Sequence, residues 1–173
     1  MHCIQYIATQ ATSTQQAFDD VKYYLETHMG DGEAISSWYD WFVTGGGRWS
    51  TSEDPYDDNY TADVAHQSSP SFQAHLDKAK EFRQAEIKQY LENAREVNLT
   101  ELLDMVDLED EWNFKVGHQL YPIKKLYDIT MASWDYTSYF FDMQNDTVAT
   151  KYMREAIDKG DNDWYIVPVD FHF

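Results

Sequence analysis

Trp164-Tyr165-Ile166-Val167-Pro168-Val169-Asp170-Phe171-His172-Phe173 is dense in aromatic and β-branched residues and follows the turn-forming Asp161-Asn162-Asp163, so it reads as a strand. The opening stretch, His2-Cys3-Ile4-Gln5-Tyr6-Ile7-Ala8-Thr9, has the same character and ends in a polar cluster. It reads as a second strand. Between these two ends the apolar spacing is mostly helical. The expected class is therefore α+β: a small mixed or antiparallel sheet with N- and C-terminal strands, packed by three to four helices.

Working inward, Ser13 and Gln16 fit a capping box, whose side chains satisfy the first free helical N–H groups. Phe18, Val21 and Leu25 then recur at helical spacing, and Gly30 is placed to cap the end. Trp38 to Val43 is short and aromatic and reads as a strand entering a tight loop at Gly45. Residues 50–70 are polar and acidic, with Glu53, Asp54, Asp57, Asp58 and Asp63 but no Lys or Arg. A loop that long is uncommon unless it serves a function or is disordered.

Pro70 and Ser71 open the clearest helix, running to about Asn93–Val97. Phe72, Leu76, Ala79, Ile87, Leu91 and Ala94 form its apolar stripe, with Asp77, Lys78, Lys80, Arg83, Glu86 and Lys88 facing water. Asn98 and Glu101 resemble another capping box, opening a short helix through Leu99, Leu102, Leu103 and Val106. Residues 112–142 are aromatic-rich and of mixed period, interrupted by Pro122; a strand plus irregular or helical packing is expected there. Residues 146–159 read as a helix with Val148, Tyr152 and Ile157 inward, ended by Gly160. No repeat and no second-domain boundary is visible, so residues 1–173 read as a single domain.

The chain carries 31 Asp and Glu against 13 Lys and Arg, a net charge of -18. Such a surface repels nucleic-acid phosphates and anionic membranes, which argues against direct nucleic-acid or membrane binding. A protein that imitates nucleic acid would look the same. The single cysteine, Cys3, excludes an intramolecular disulfide and a Cys-rich zinc site. No basic and apolar leader is visible at the N-terminus, and no stretch approaches the ~20 apolar residues of a membrane span. An intracellular protein is expected, so the Asn-x-Ser/Thr matches at Asn59, Asn98 and Asn145 carry little meaning.

Three constellations can carry chemistry. In Gly45-Gly46-Gly47-Arg48-Trp49, glycines permit positive φ and close backbone approach, and their N–H groups can cradle an anion. Arg48 is the only Lys or Arg between Lys22 and Lys78, so it either pairs with a carboxylate or meets an anionic ligand. The plain reading is a turn with a structural ion pair. Second, Asp170 and His172 lie two apart on a strand and share a face, where they can act as a base and its orienter. Two ligands are too few for a metal, and His2 or His118 would have to complete the set; no metal or cofactor is expected. Third, Glu101, Asp104, Asp107, Glu109, Asp110 and Glu111, with Asp54, Asp57 and Asp58 in the 50–70 loop, can imitate the phosphate array of DNA. Acidic runs are usually solvated faces. Here the charge exceeds the magnitude of about 2–8 that solubility requires of a small domain. The aromatic residues read mostly as core, with Trp41 and Trp49 flanking the glycine loop and able to stack on a ring.

Asp40-Trp41-Phe42-Val43-Thr44-Gly45-Gly46-Gly47-Arg48-Trp49, together with Val169-Asp170-Phe171-His172-Phe173, resembles a group of uncharacterised proteins of tailed bacteriophages. These carry an Asp-Trp…Gly-Gly-Arg-Trp segment and close on a Val-Asp-x-His strand. The present chain has one extra glycine, and its middle, 50–140, shows no likeness. The resemblance implies a phage origin and the host bacterial cytoplasm, and puts Arg48, Trp49, Asp170 and His172 in one pattern.

Two functions follow as expectations. One is a non-enzymatic, acidic anti-defence protein whose carboxylates occupy the phosphate channel of a basic host protein, such as a nucleic-acid-binding or defence enzyme. The other is a pocket of Trp41, Gly45, Gly46, Gly47, Arg48, Trp49, Asp170 and His172 that binds a nucleotide-like anion or hydrolyses a phosphoester. The charge places the first ahead. Self-association into a homo-oligomer is compatible with either.

Overall fold

The computed structural model describes residues 1–29, 38–105, 114–160 and 163–173. In chain order the elements are β1 (His2–Gln10), α1 (Thr14–Met29), β2 (Trp41–Thr44), a 3-10 turn (Gly47–Trp49), β3 (Ala65–His66), α2 (Pro70–Arg95), α3 (Leu99–Met105), α4 (Phe114–Thr130), β4 (Phe140–Asp142), α5 (Lys151–Asp158) and β5 (Trp164–His172). The chain forms two compact units, Met1–Lys80 with Trp134–Phe173, and Glu81–Ser133. The class is α+β, with a mixed sheet that includes both terminal strands. No helix among the described residues is long and apolar enough to cross a membrane.

The first unit is organised by β5. Along its whole length it pairs antiparallel with β1, from His2↔His172 to Gln10↔Trp164. On its other side β2 pairs with residues 169–172 and β3 with residues 165–166. The far side of β1 takes β4 in parallel. Residues 164–171 are all buried, as expected of a strand covered on both faces. Pro168 fits such a strand because of where it sits. Its carbonyl accepts a bond from Gly45 N–H at 2.8 Å, so its missing donor faces the same side, in the gap between β2 and β3.

Each sheet face has its own core. Ile7, Phe141, Val167, Val169 and Phe171 pack against Ala17, Phe18, Val21 and Leu25 of α1. On the opposite face Ala8, Phe140, Trp164 and Ile166 meet Phe72, Leu76 and Ala79 of α2 and Met153 of α5. Burying a side chain of this size contributes about 1.5–3 kcal/mol. In the second unit Leu102 and Ile129 are buried, and the Arg83 guanidinium donates to the Ile129 carbonyl at 2.8 Å.

Local signals explain most boundaries. Ser13 Oγ accepts from Gln16 N–H at 3.1 Å, but Gln16 Oε1 reaches one residue further back than a capping box requires, to Thr12 N–H at 3.0 Å. Asn98 Oδ1 accepts from Thr100 and Glu101 N–H. α2 opens at Pro70, and Ser69 Oγ caps it by accepting from Phe72 N–H at 3.3 Å.

Several expectations need correcting. The stripe on α2 is buried only at Phe72, Leu76 and Ala79; Ile87 is half-buried and Leu91 exposed, because only the first turns contribute to the sheet's core. In the 112–142 segment the expected strand is β4 and the expected helical packing is α4, but Pro122 lies within α4 without interrupting it. The last helix starts at Lys151 rather than 146. The Asp142 carboxylate accepts from Gln144 and Asn145 N–H and from Asn145 Nδ2, holding 142–147 as a turn. Tyr152, expected inward, is exposed, and Met153 takes the buried position. Gly30, Val106, Trp112 and the Asp161–Asn162 turn lie outside the described residues.

Two glycines predict opposite responses to the same change. Gly45 has φ +93°, and a Cβ there would overlap the Tyr60 carbonyl oxygen. Gly45→Ala should lower unfolding free energy in urea by about 2–4 kcal/mol. A Cβ on Gly117, in α4, meets nothing within 4 Å, so Gly117→Ala should stabilise the protein by up to about 1 kcal/mol.

Candidate functional site

One sheet face carries His2, Ile4 and Tyr6 of β1, Trp41 of β2, and Pro168, Asp170 and His172 of β5, because directly paired residues share a face. Where α2 and α5 do not cover this face, the loop after β2 does. That loop must pass close to β5. A Cβ on Gly47 (φ +51°) would sit 2.6 Å from Asp170 Cβ, so glycine is what allows the approach.

Asp170 is the centre of the arrangement. Its side chain is only 2% exposed, and a buried carboxylate needs several partners to offset its lost hydration. His2 Nδ1 lies 2.9 Å from Oδ1. Arg48 Nε lies 3.6 Å from Oδ2, and Arg48 N–H donates to the same oxygen at 3.4 Å. The anion that the glycine loop faces is thus the protein's own Asp170. Half of the Arg48 side chain remains exposed, and its terminal nitrogens have no partner among the described residues.

His172 does not pair with Asp170, although they share a face. Its Nδ1 lies 3.0 Å from Asp40 Oδ1, and its ring stacks on Trp41 at 5.0 Å and 14°. Burial acts to raise the Asp40 carboxyl, but hydrogen bonds from His172 and from its own backbone, with nearby positive charge, outweigh it and hold Asp40 below its ordinary range. The His2 and His172 rings meet edge to face at 4.9 Å. His2 also contacts Trp41 at 5.1 Å and Trp49 at 6.4 Å. Each imidazole is therefore oriented by a carboxylate at Nδ1, and neither Nε2 has a partner among the described residues.

Trp41, Gly47, Arg48, Trp49, Asp170 and His172 thus come together, with Gly45 and Gly46 shaping the loop. Asp40 joins them unexpectedly, and His2 enters as the partner of Asp170 rather than as a metal ligand. The strand alternation of β1 signals which face His2 takes, but only the register puts it opposite His172. No group of three or more His, Cys, Asp or Glu side chains suited to a metal occurs among the described residues. His118 lies on α4 in the second unit. Burial pushes the Cys3 thiol up to about 11, which removes it as a nucleophile at neutral pH.

Beside this cluster, and sharing Trp49 with it, lies a cavity of about 290 Å³ bounded by Ile4, Tyr6, Thr51, Asp63, Ser71, His75 and Pro168 among others. His75 packs on Tyr6 at 4.0 Å, and its Nδ1 lies 3.0 Å from the Tyr139 hydroxyl. Burial, then the charge of Lys78, lower the basicity of His75.

The acidic residues of the 50–70 loop are largely engaged within the first unit. Asp54 Oδ1 accepts from Tyr56 N–H, Asp57 Oδ1 from Asn59 N–H, and Asp58 pairs with Lys22 at 2.8 Å. Glu101 and Asp104 are exposed on α3; Asp107, Glu109, Asp110 and Glu111 lie outside the described residues. No family model, curated protein or solved structure matches this chain.

His75 sets a pH dependence. Its folded value lies below the ordinary imidazole value of about 6.5, so on acidification the unfolded chain binds a proton first. Its contribution is full above pH ~6.5 and falls as pH drops from there through the folded value. Urea midpoints at pH 7.5 and 5.5 should differ less in His75→Gln than in the wild-type protein.

Proposed function

We propose that the His2–His172 cluster is a small-molecule site for a nucleotide-like phosphoester, with the two imidazoles as an acid–base pair. The observation that carries this reading is that two imidazole rings meet at 4.9 Å, each held by a different carboxylate at Nδ1, with Arg48 alongside. A carboxylate at Nδ1 fixes the ring's orientation and leaves Nε2 to exchange a proton with a ligand. Of the two expected functions, this one draws on more of the described geometry. The carboxylates of Asp54, Asp57 and Asp58 serve their own loop and its neighbour Lys22.

In hydrolysis, the Nε2 of one imidazole takes the proton of a water as its oxygen bonds to phosphorus. The bond to the leaving oxygen breaks, and the other imidazole, protonated, gives that oxygen its proton. The free terminal N–H groups of Arg48 are suited to the phosphoryl oxygens. The net charge of -18 opposes an anion at long range, but at 0.15 M salt that field is screened over about 8 Å.

Bis(p-nitrophenyl) phosphate tests this chemistry without a base or sugar. Asparagine keeps an amide where Nδ1 stood but removes Nε2, so His2→Asn and His172→Asn should each lower kcat about a hundredfold. Arg48→Ala should act mainly through KM. An inactive wild-type protein, or asparagine variants with unchanged kcat, would falsify the reading.

A further inference from the structure

We infer that the cavity beside the histidine pair holds the trimethylammonium group of a small choline-like ligand. Its lining joins one carboxylate, Asp63, to the rings of Trp49 and Tyr6 and to the apolar surfaces of Ile4, Val64 and Pro168. An aromatic face attracts a cation through its quadrupole, and tryptophan does so best. Trp49 is nearly half exposed, so its indole is open to a ligand.

Charge selects a cation. No Lys or Arg lines the cavity. Asp63 has no cationic partner among the described residues: its bonds come from the neutral Thr51 N–H and hydroxyl, at 2.6 and 2.8 Å. They hold the carboxylate in place and leave its charge uncompensated. Burial and then that charge raise the Tyr6 hydroxyl, so the field of Asp63 reaches one of the cavity's rings. Arg48, next in sequence to Trp49, faces Asp170 instead, and Lys78 sits over the Tyr139 ring at 5.2 Å. His75 loses basicity to burial and then to Lys78, so it is neutral at neutral pH. The net charge of -18 draws cations toward the protein at long range.

The type of cation follows from what the cavity lacks. A primary ammonium is strongly hydrated and gives up that water only for several acceptors. Here the one carboxylate already uses part of its accepting capacity on Thr51. A quaternary ammonium donates no hydrogen bond, so it needs only the charge, the rings and apolar walls against its methyl groups. At about 290 Å³ the cavity stands at the small end of ligand pockets, which suits one such head group.

Calorimetric titration of the full chain with choline, 3,3-dimethylbutanol and ethanolamine tests the site. The butanol has the shape of choline without its charge, and ethanolamine has the charge without the methyl groups. Choline should bind about tenfold more tightly than either. Asp63→Asn should bring choline down to the level of its neutral isostere, and Trp49→Ala should weaken choline about tenfold. If Asp63→Asn disturbs the loop, the ranking in the wild-type protein decides. Absence of choline binding at millimolar concentration, or equal affinity for choline and 3,3-dimethylbutanol, overturns the inference, as does tighter binding of ethanolamine than of choline. Choline carries no phosphate, and its site does not rest on the proposed acid–base pair. Hydrolysis of bis(p-nitrophenyl) phosphate without choline binding overturns the cation site alone, whereas choline binding without hydrolysis overturns the acid–base reading alone.

Discussion

A carboxylate buried in an apolar strand organises this protein. Asp170 lies in β5 between Val169 and Phe171, both fully buried, and its charge has almost no contact with water. Left alone it would cost several kcal/mol. The chain answers from both sides of β5: β1 brings His2 to one oxygen, and the loop after β2 brings Arg48 and a backbone N–H to the other. Gly47 follows from the same constraint, because a side chain there would strike Asp170.

That constraint also separates the chemistry from the scaffold. Its two opposite faces hold the packed cores, one under α1 and one under α2 and α5. At the end of the second face, where a loop replaces helices, His2, Trp41, Arg48, Trp49, Asp170 and His172 gather. Such an edge combines rigidity with access: strands fix His2, Trp41 and His172, while Arg48 and Trp49 stay about half exposed. A site on strands, bordered by a loop that glycines hold close, is the arrangement expected when groups must be held in place yet meet a ligand.

Much of the fold was legible in the local pattern. Both terminal strands, α1 with Phe18, Val21 and Leu25, and the start of α2 follow from periodicity and capping residues, which act over a few positions. Two expectations failed, each for its own local reason. Proline in α4 suggested a break, yet Pro122 removes only one helical bond and the rest of the helix persists. The helix expected from residue 146 lost its first turn to the Asp142 side chain, whose hydrogen bonds offer the backbone an alternative.

For the site, residue types announced themselves but their partners did not. Glycines followed by a lone arginine, and Asp170 two residues from His172, mark a loop near a strand and a shared face, and these follow from the sequence because φ preferences and strand alternation are local. The pairings of Asp170 with His2, of His172 with Asp40, and of Thr51 with Asp63 were decided by tertiary structure. The first two join residues 168 and 132 positions apart, and all three depend on strand register and loop path. A buried carboxylate accepts whichever donors the packed chain delivers, and that choice is made only when the sheet closes.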